Sequence, residues 1–259
     1  MDFFMRLHPV LQGLLATLFT YAVTALGAAI VFFIKKVNRT LIDLMLGFAA
    51  GVMIAACFWS LLQPSVELSL ALGYNAWLIN ALGFLCGGAF VMLADLLMSK
   101  AKMFNSADSK FKRTALFAAA VTMHNIPEGL AVGVAFGSIP LGASATGAIM
   151  LALGIGLQNF PEGLCVSMPL YLSGKSKAKS FFAGQASGLV EPVAGVLGAL
   201  FAVAAKSLLP LALSFSAGAM IAVVCAEIVP EAFEAGKRPA QIGILIGFTV
   251  MMILDIALG

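Results

Sequence analysis

Eight apolar runs, cut at charges and turn residues, organise this chain: 10–34, 43–63, 74–98, 114–137, 143–171, 180–205, 209–230 and 239–257. Crossing the ~30 Å hydrocarbon core of a bilayer takes about 20 predominantly apolar residues in an α-helix, and the runs are of that length. None shows the apolar/polar alternation of a barrel strand. A segment in lipid must satisfy its own backbone hydrogen bonds, so each run is predicted to be a helix. The first run is too long for the apolar core of a signal peptide and is read as a retained span.

Composition agrees with the pattern. Of 259 residues, 61% are hydrophobic and 10% charged, against about 25% charged in a soluble domain. A soluble core is therefore excluded. The net charge is +3, and the basic residues fall between the runs, so no nucleic-acid surface is indicated. Cys57, Cys86, Cys165 and Cys225 all lie inside runs with no CxxC pair. Neither a disulfide framework nor a thiolate metal site follows from that usage.

Lys and Arg set the orientation. The segments after runs 1, 3, 5 and 7 hold 13 of the 15 basic residues, leaving only Arg6 and Lys206 on the other side. Both termini are therefore expected outside the cytoplasm, in a multi-pass protein of the inner (cytoplasmic) membrane.

Two repeats are visible. Residues 48–67 read FAAGVMIAACFWSLLQPSVE and 215–234 read FSAGAMIAVVCAEIVPEAFE, matching at seven of 20 positions, among them Gly51/Gly218, Met53/Met220 and Glu67/Glu234. One copy runs outward on helix 2 and the other inward on helix 7. The expected fold is an all-α integral membrane protein of eight transmembrane helices in one domain. Helices 1–3 and 6–8 form an inverted repeat around helices 4–5, a plan that transporters use around a midplane site.

The second repeat carries the chemistry. HNIPEGLAV begins at His124 and QNFPEGLCV at Gln158, with six of nine letters shared. On a helix, positions i and i+4 share a face. His124 and Glu128 then point one way with Asn125 close by, as do Gln158 and Glu162 with Asn159. Pro127 and Pro161 each remove a backbone donor and are expected to kink their helices, freeing carbonyls near Met123 and Leu157. Gly129 and Gly163 let neighbouring helices come close. One imidazole, two carboxylates and several amide oxygens suit Zn2+, and also Fe2+, Mn2+, Co2+ or Cd2+. Two carboxylates also neutralise a divalent cation at a depth where charge is costly. Metal binding there should compete with protons.

Glu191, mid-run beside Pro192, is a third central acid. It could ligate the same ion, bridge to another, carry a proton, or be a hydrogen-bonded structural acid. Met53, Ser60 and Glu67, spaced by sevens, are expected on one face of helix 2 as a path; Met53 also reads as core. Glu227, Glu231 and Glu234 mark the inward end of helix 7, with Asp43 and Asp95 near the same side. Each of these acids, like Asp255 at the outer end, has the simpler reading of a helix-end carboxylate facing water. His8 is read as incidental.

The motif pair HNIPEG and QNFPEG on helices 4 and 5 resembles the ZIP (Zrt/Irt-like) family of divalent metal transporters, and LGFAAGVM and SGLVEP resemble its bacterial GufA-type branch. The resemblance covers the whole chain. It implies a binuclear site, with one ion on His124, Glu128, Gln158 and Glu162 and the other on Asn125, Glu128, Asn159, Glu162 and Glu191. It also places Met53, Ser60 and Glu67 on the way in, and implies elevator-like movement of helices 1, 4, 5 and 6. Gln158 and Asn159 stand where many members have His and some have Asp, which makes this site less basic. A His-rich loop after helix 3 is missing. The expectation is therefore a membrane importer whose cargo is Zn2+ or a related divalent cation, with no enzymatic activity, partnered by lipid and with a homodimer left open. A metal-selective channel, an intramembrane metalloenzyme and a metal receptor remain as alternatives. The sequence has no nucleotide-binding loop, so any energy comes from ion gradients.

Overall fold

The computed structural model describes residue 4 and residues 6–33, 38–100, 109–172, 174–234 and 236–258; within these, the side chains of 98–100, 109–121, 123, 124, 169, 206 and 258 are not among those described. All regular structure among the described residues is helical. Among the described residues, seven helices are long and apolar enough to cross a membrane: α1 (Pro9–Phe32), α2 (Arg39–Ala71), α3 (Ala76–Leu97), α5 (Ala145–Leu172), α6 (Lys177–Ala204), α7 (Leu209–Ala232) and α8 (Lys237–Ala257). Helix α4, Ser109–Ser138, has 30 residues and carries the first motif. At 1.5 Å per residue that is about 45 Å, ample for a bilayer. The eight apolar runs thus map one to one onto eight helices.

Among the described residues, three helices carry π-helical turns, α8 at Leu254–Leu258 and two others at matching places. Residues Cys57–Leu62 of α2 and Val224–Ile228 of α7 form wide, π-helical turns. Under the 48/215 register these segments coincide. The cause is shared: Pro64 and Pro230 have no N–H for the carbonyl four residues back, and their rings crowd it. A wider turn relieves that crowding, and such turns often stand at functional places. The extra residue also breaks the sevenfold spacing expected of Met53, Ser60 and Glu67. Met53 is fully buried in the core, as is its repeat mate Met220.

Packing obeys the same repeat. Helix α2 lies against α8, and α7 against α3; α5 lies against α1, and α4 against α6. Exchanging helices 1–3 with 6–8, and α4 with α5, turns each pair into the other. Gly51 of α2 meets the backbone of Ile244, and its mate Gly218 of α7 meets that of Phe84; a methyl group at either would strike a carbonyl oxygen. Membrane helices associate through such close small-residue contacts because lipid supplies no hydrophobic drive between them. The result is two four-helix bodies, α1/α4/α5/α6 and α2/α3/α7/α8. They meet mainly where α5 touches α2 and α4 touches α7. An apolar cleft of about 610 Å³, lined by Phe19, Phe48, Leu157 and Ile246 among others, runs between them on one side.

Helix α6 is in two pieces, Lys177–Ser187 and Val190–Ala204. Gly188 and Leu189 make the break, next to Pro192, and put Glu191 in the first turn of the second piece.

Candidate metal centre

The two motifs and the α6 break meet inside the α1/α4/α5/α6 body. Gly129 of α4 lies against the backbone of Glu191, and Gly163 of α5 against that of Thr24 in α1. These contacts are again repeat mates, since 24 pairs with 191 and 129 with 163. Neither proline ends its helix: Pro127 lies inside α4 and Pro161 inside α5.

Asn125, Glu128, Gln158, Asn159 and Glu191 are wholly buried, and Glu162 is 4% exposed. Gln158 donates from Nε2 to Glu128 Oε1, joining the motifs. Asn125 Nδ2 donates to the carbonyl of Ser187 at 2.8 Å, which holds α4 on the α6 break. Asn159 Nδ2 reaches Glu191 Oε1 and Oε2 at 2.9 and 3.0 Å. The hydroxyls of Thr20 and Thr24 on α1 also donate to Glu191, to Oε2 and Oε1 respectively. His124 lies in α4 one turn before Glu128, with its side chain outside the described set.

Six oxygens remain without a hydrogen-bond partner: Asn125 Oδ1, Glu128 Oε2, Gln158 Oε1, Asn159 Oδ1, and both oxygens of Glu162. Leaving a buried acceptor unsatisfied costs about 1–3 kcal/mol, and more for a charged one. Six acceptors drawn from two short motifs are the environment a cation would neutralise. Among the described residues, no three His, Cys, Asp or Glu side chains form a metal-holding cluster by themselves. The six unpartnered oxygens come in equal number from amides, Asn125, Gln158 and Asn159, and from the acids Glu128 and Glu162.

Sequence reasoning did not find Thr20 and Thr24. The signal was there: Thr17, Thr20 and Thr24 recur at helical spacing within the first apolar run, and all three are fully buried.

The other expected residues divide. Ser60 and Glu67 line a cavity of about 560 Å³, together with Gln63, Ser138, Ser144 and Asp255. Met53 does not line it. The Ser60 hydroxyl donates to Asp255 Oδ1 at 2.7 Å, while Asp255 Oδ2 has no partner. Asp255 is therefore a cavity residue, and the simpler reading of an acid facing bulk water is corrected. Glu67 accepts from Gln63 at 3.1 Å. At the other end of α2, Arg39 binds Asp43 at 2.9 Å, Glu231 at 3.0 Å and Glu234 at 3.1 Å. Asp43 is 1% exposed; here too the water-facing reading fails. Glu227 is half-buried on the π-helical turn of α7, and Asp95 is exposed.

An all-helical membrane architecture around a buried oxygen-rich centre defines a polytopic membrane protein with a polar midsection. The profile of the family described as "Zip: ZIP Zinc transporter" matches residues 105–255. The chain is 39% identical to "Zinc transporter ZIP11" of Homo sapiens, over 96% of this chain and 98% of that protein. It is 36% identical to "Zinc transporter GufA" of Myxococcus xanthus, over 95% and 99%. Against "Zinc transporter ZIPB" of Bordetella bronchiseptica it is 33% identical, over 92% and 79%. This chain belongs to the ZIP zinc transporter family. The relatives are named as transporters, which removes the metalloenzyme alternative.

Proposed function

We propose that this protein carries divalent cations, zinc foremost, across the cytoplasmic membrane into the cytoplasm. The observation that carries the reading is the set of six unpartnered, buried oxygens on the two motifs. Family membership and the names of the relatives support zinc as cargo. The ligands are Glu128, Glu162, Gln158, Asn125 and Asn159, with His124 one turn before Glu128. The cavity of Ser60, Glu67 and Asp255 serves as the outer approach. The acids about Arg39, with Glu227, lie on the inward side. Alternating exposure arises by sliding of α1/α4/α5/α6 against α2/α3/α7/α8; the pairing of helices within these bodies, and the apolar cleft between them, favour that division. The ligand set contains no thiolate, which suits a site that must release its ion.

Zinc uptake into proteoliposomes tests the reading. The parent is expected to take up zinc with saturation, and Glu128→Ala and His124→Ala to lose roughly tenfold or more of the initial rate. Equal uptake by all three proteins refutes the site, and uptake that never saturates points to a channel.

A further inference from the structure

Glu191 differs from the other acids of the centre, and we infer from its surroundings that the centre takes one divalent cation rather than two, with Glu191 acting as a positioning residue for Asn159. This inference rests on the reading of the centre as a metal site. Both oxygens of Glu191 are already occupied. Asn159 Nδ2 donates to each, at 2.9 and 3.0 Å; Thr20 donates to Oε2, and Thr24 to Oε1 at 3.4 Å. Hydrogen bonds to a carboxylate are among the strong ones. The carboxylate also stands in the first turn of the helix Val190–Ala204, where the macrodipole favours negative charge. Neighbouring donors thus satisfy both oxygens of Glu191 and stabilise its charge without a cation.

Glu128 and Glu162 are in the opposite condition. Glu128 has one oxygen bonded by Gln158, and Glu162 has neither oxygen bonded. Their three free oxygens and the free amide oxygens of Asn125, Gln158 and Asn159 make six. One divalent ion of zinc type takes about four to five ligands, which this set fills once. Asn159 links the two groups. Its Nδ2 is held by Glu191, which leaves Oδ1 as the end free to ligate. A partner that fixes a ligand's orientation in this way commonly contributes 10–100-fold in affinity, as a general rule. An Asp at 159 could not donate, and two carboxylates would then face each other with only a second cation or a proton to separate them. The amide is the feature that removes the second ion.

The experiment is zinc stoichiometry on the purified full-length protein, by equilibrium dialysis with metal analysis and by calorimetry. The parent is expected to bind one zinc ion per chain, and Asn159→Asp to bind two. Thr20→Val with Thr24→Val is expected to keep one ion at roughly tenfold weaker affinity; a merely structural role would lower stability and leave the affinity of folded protein unchanged. Two ions on the parent, falling to one with Glu191→Gln, overturn the inference while leaving the metal site standing. A single ion on Asn159→Asp overturns the role given to the amide. No zinc on the parent removes the inference and the functional reading together. Should Asn159→Asp fail to fold, the parent's ratio still decides.

Discussion

Asp255 shows at the scale of single residues how context assigns a role. One of its oxygens accepts from Ser60 and the other has no partner, inside a cavity of about 560 Å³ that also holds Glu67. A cleft lined with one sign of charge raises the local concentration of counter-ions. Asp255→Asn is expected to raise the KM for zinc uptake by roughly tenfold, the low end of such focusing, and to leave kcat near the parent's. Uptake kinetics over a range of zinc concentrations check this; a loss confined to kcat would place Asp255 in the transport step instead. Arg39 is the other residue whose role comes from its neighbours. Its three carboxylate partners lie on α2 and the end of α7, yet it is about one-third exposed, so the network staples those helices more than it stores energy.

Between elements, stability depends on backbone-to-backbone approach. A Cβ at Gly163 would run into the carbonyl of Thr24, and one at Gly129 into that of Glu191. Gly163→Val must push α1 off α5 and, with them, Thr20 and Thr24 off Glu191. The expected cost is about 1–3 kcal/mol or more from overpacking. Thermal unfolding in detergent should show a lowered Tm, together with weaker zinc binding; an unchanged Tm would mean that α1 yields without cost. The six-residue motifs were legible as chemistry in their first five residues and as a packing surface in the closing glycine. The helix that each glycine would meet was not, because a small residue announces an approach without naming its partner.

For the whole molecule, the sliding proposed above requires that the two bodies move past each other where α5 meets α2 and α4 meets α7. A methyl at Gly154 of α5 would strike Met251 Sδ of α8, a flexible side chain that must shift, and would sit 3.7 Å from Val52 Cγ1 of α2, so these positions span the boundary. Cysteines at both, in a background with Cys57, Cys86, Cys165 and Cys225 replaced, should form a cross-link that stops uptake reversibly while zinc binding persists. A cross-link between α2 and α8, within one body, should leave uptake largely intact. Full transport through a linked α2–α5 pair would refute sliding of these bodies.

The bilayer explains what the sequence by itself determined. Lipid forces every spanning backbone to satisfy its own hydrogen bonds locally, so eight runs of one-dimensional pattern became eight helices, and the 48/215 repeat became a packing symmetry. The two motifs, read from spacing alone, named the buried oxygens. Tertiary structure decided the rest. It broke the sixth run at Gly188, shifted Met53 off the face of Ser60 through a π-helical turn, and drew Asp255 into a cavity. It also turned Glu191 toward Thr20, Thr24 and Asn159. Those outcomes depend on which side chains four separate helices bring to one point, and that convergence is fixed by helix packing across more than a hundred residues of chain, where local pattern carries no information.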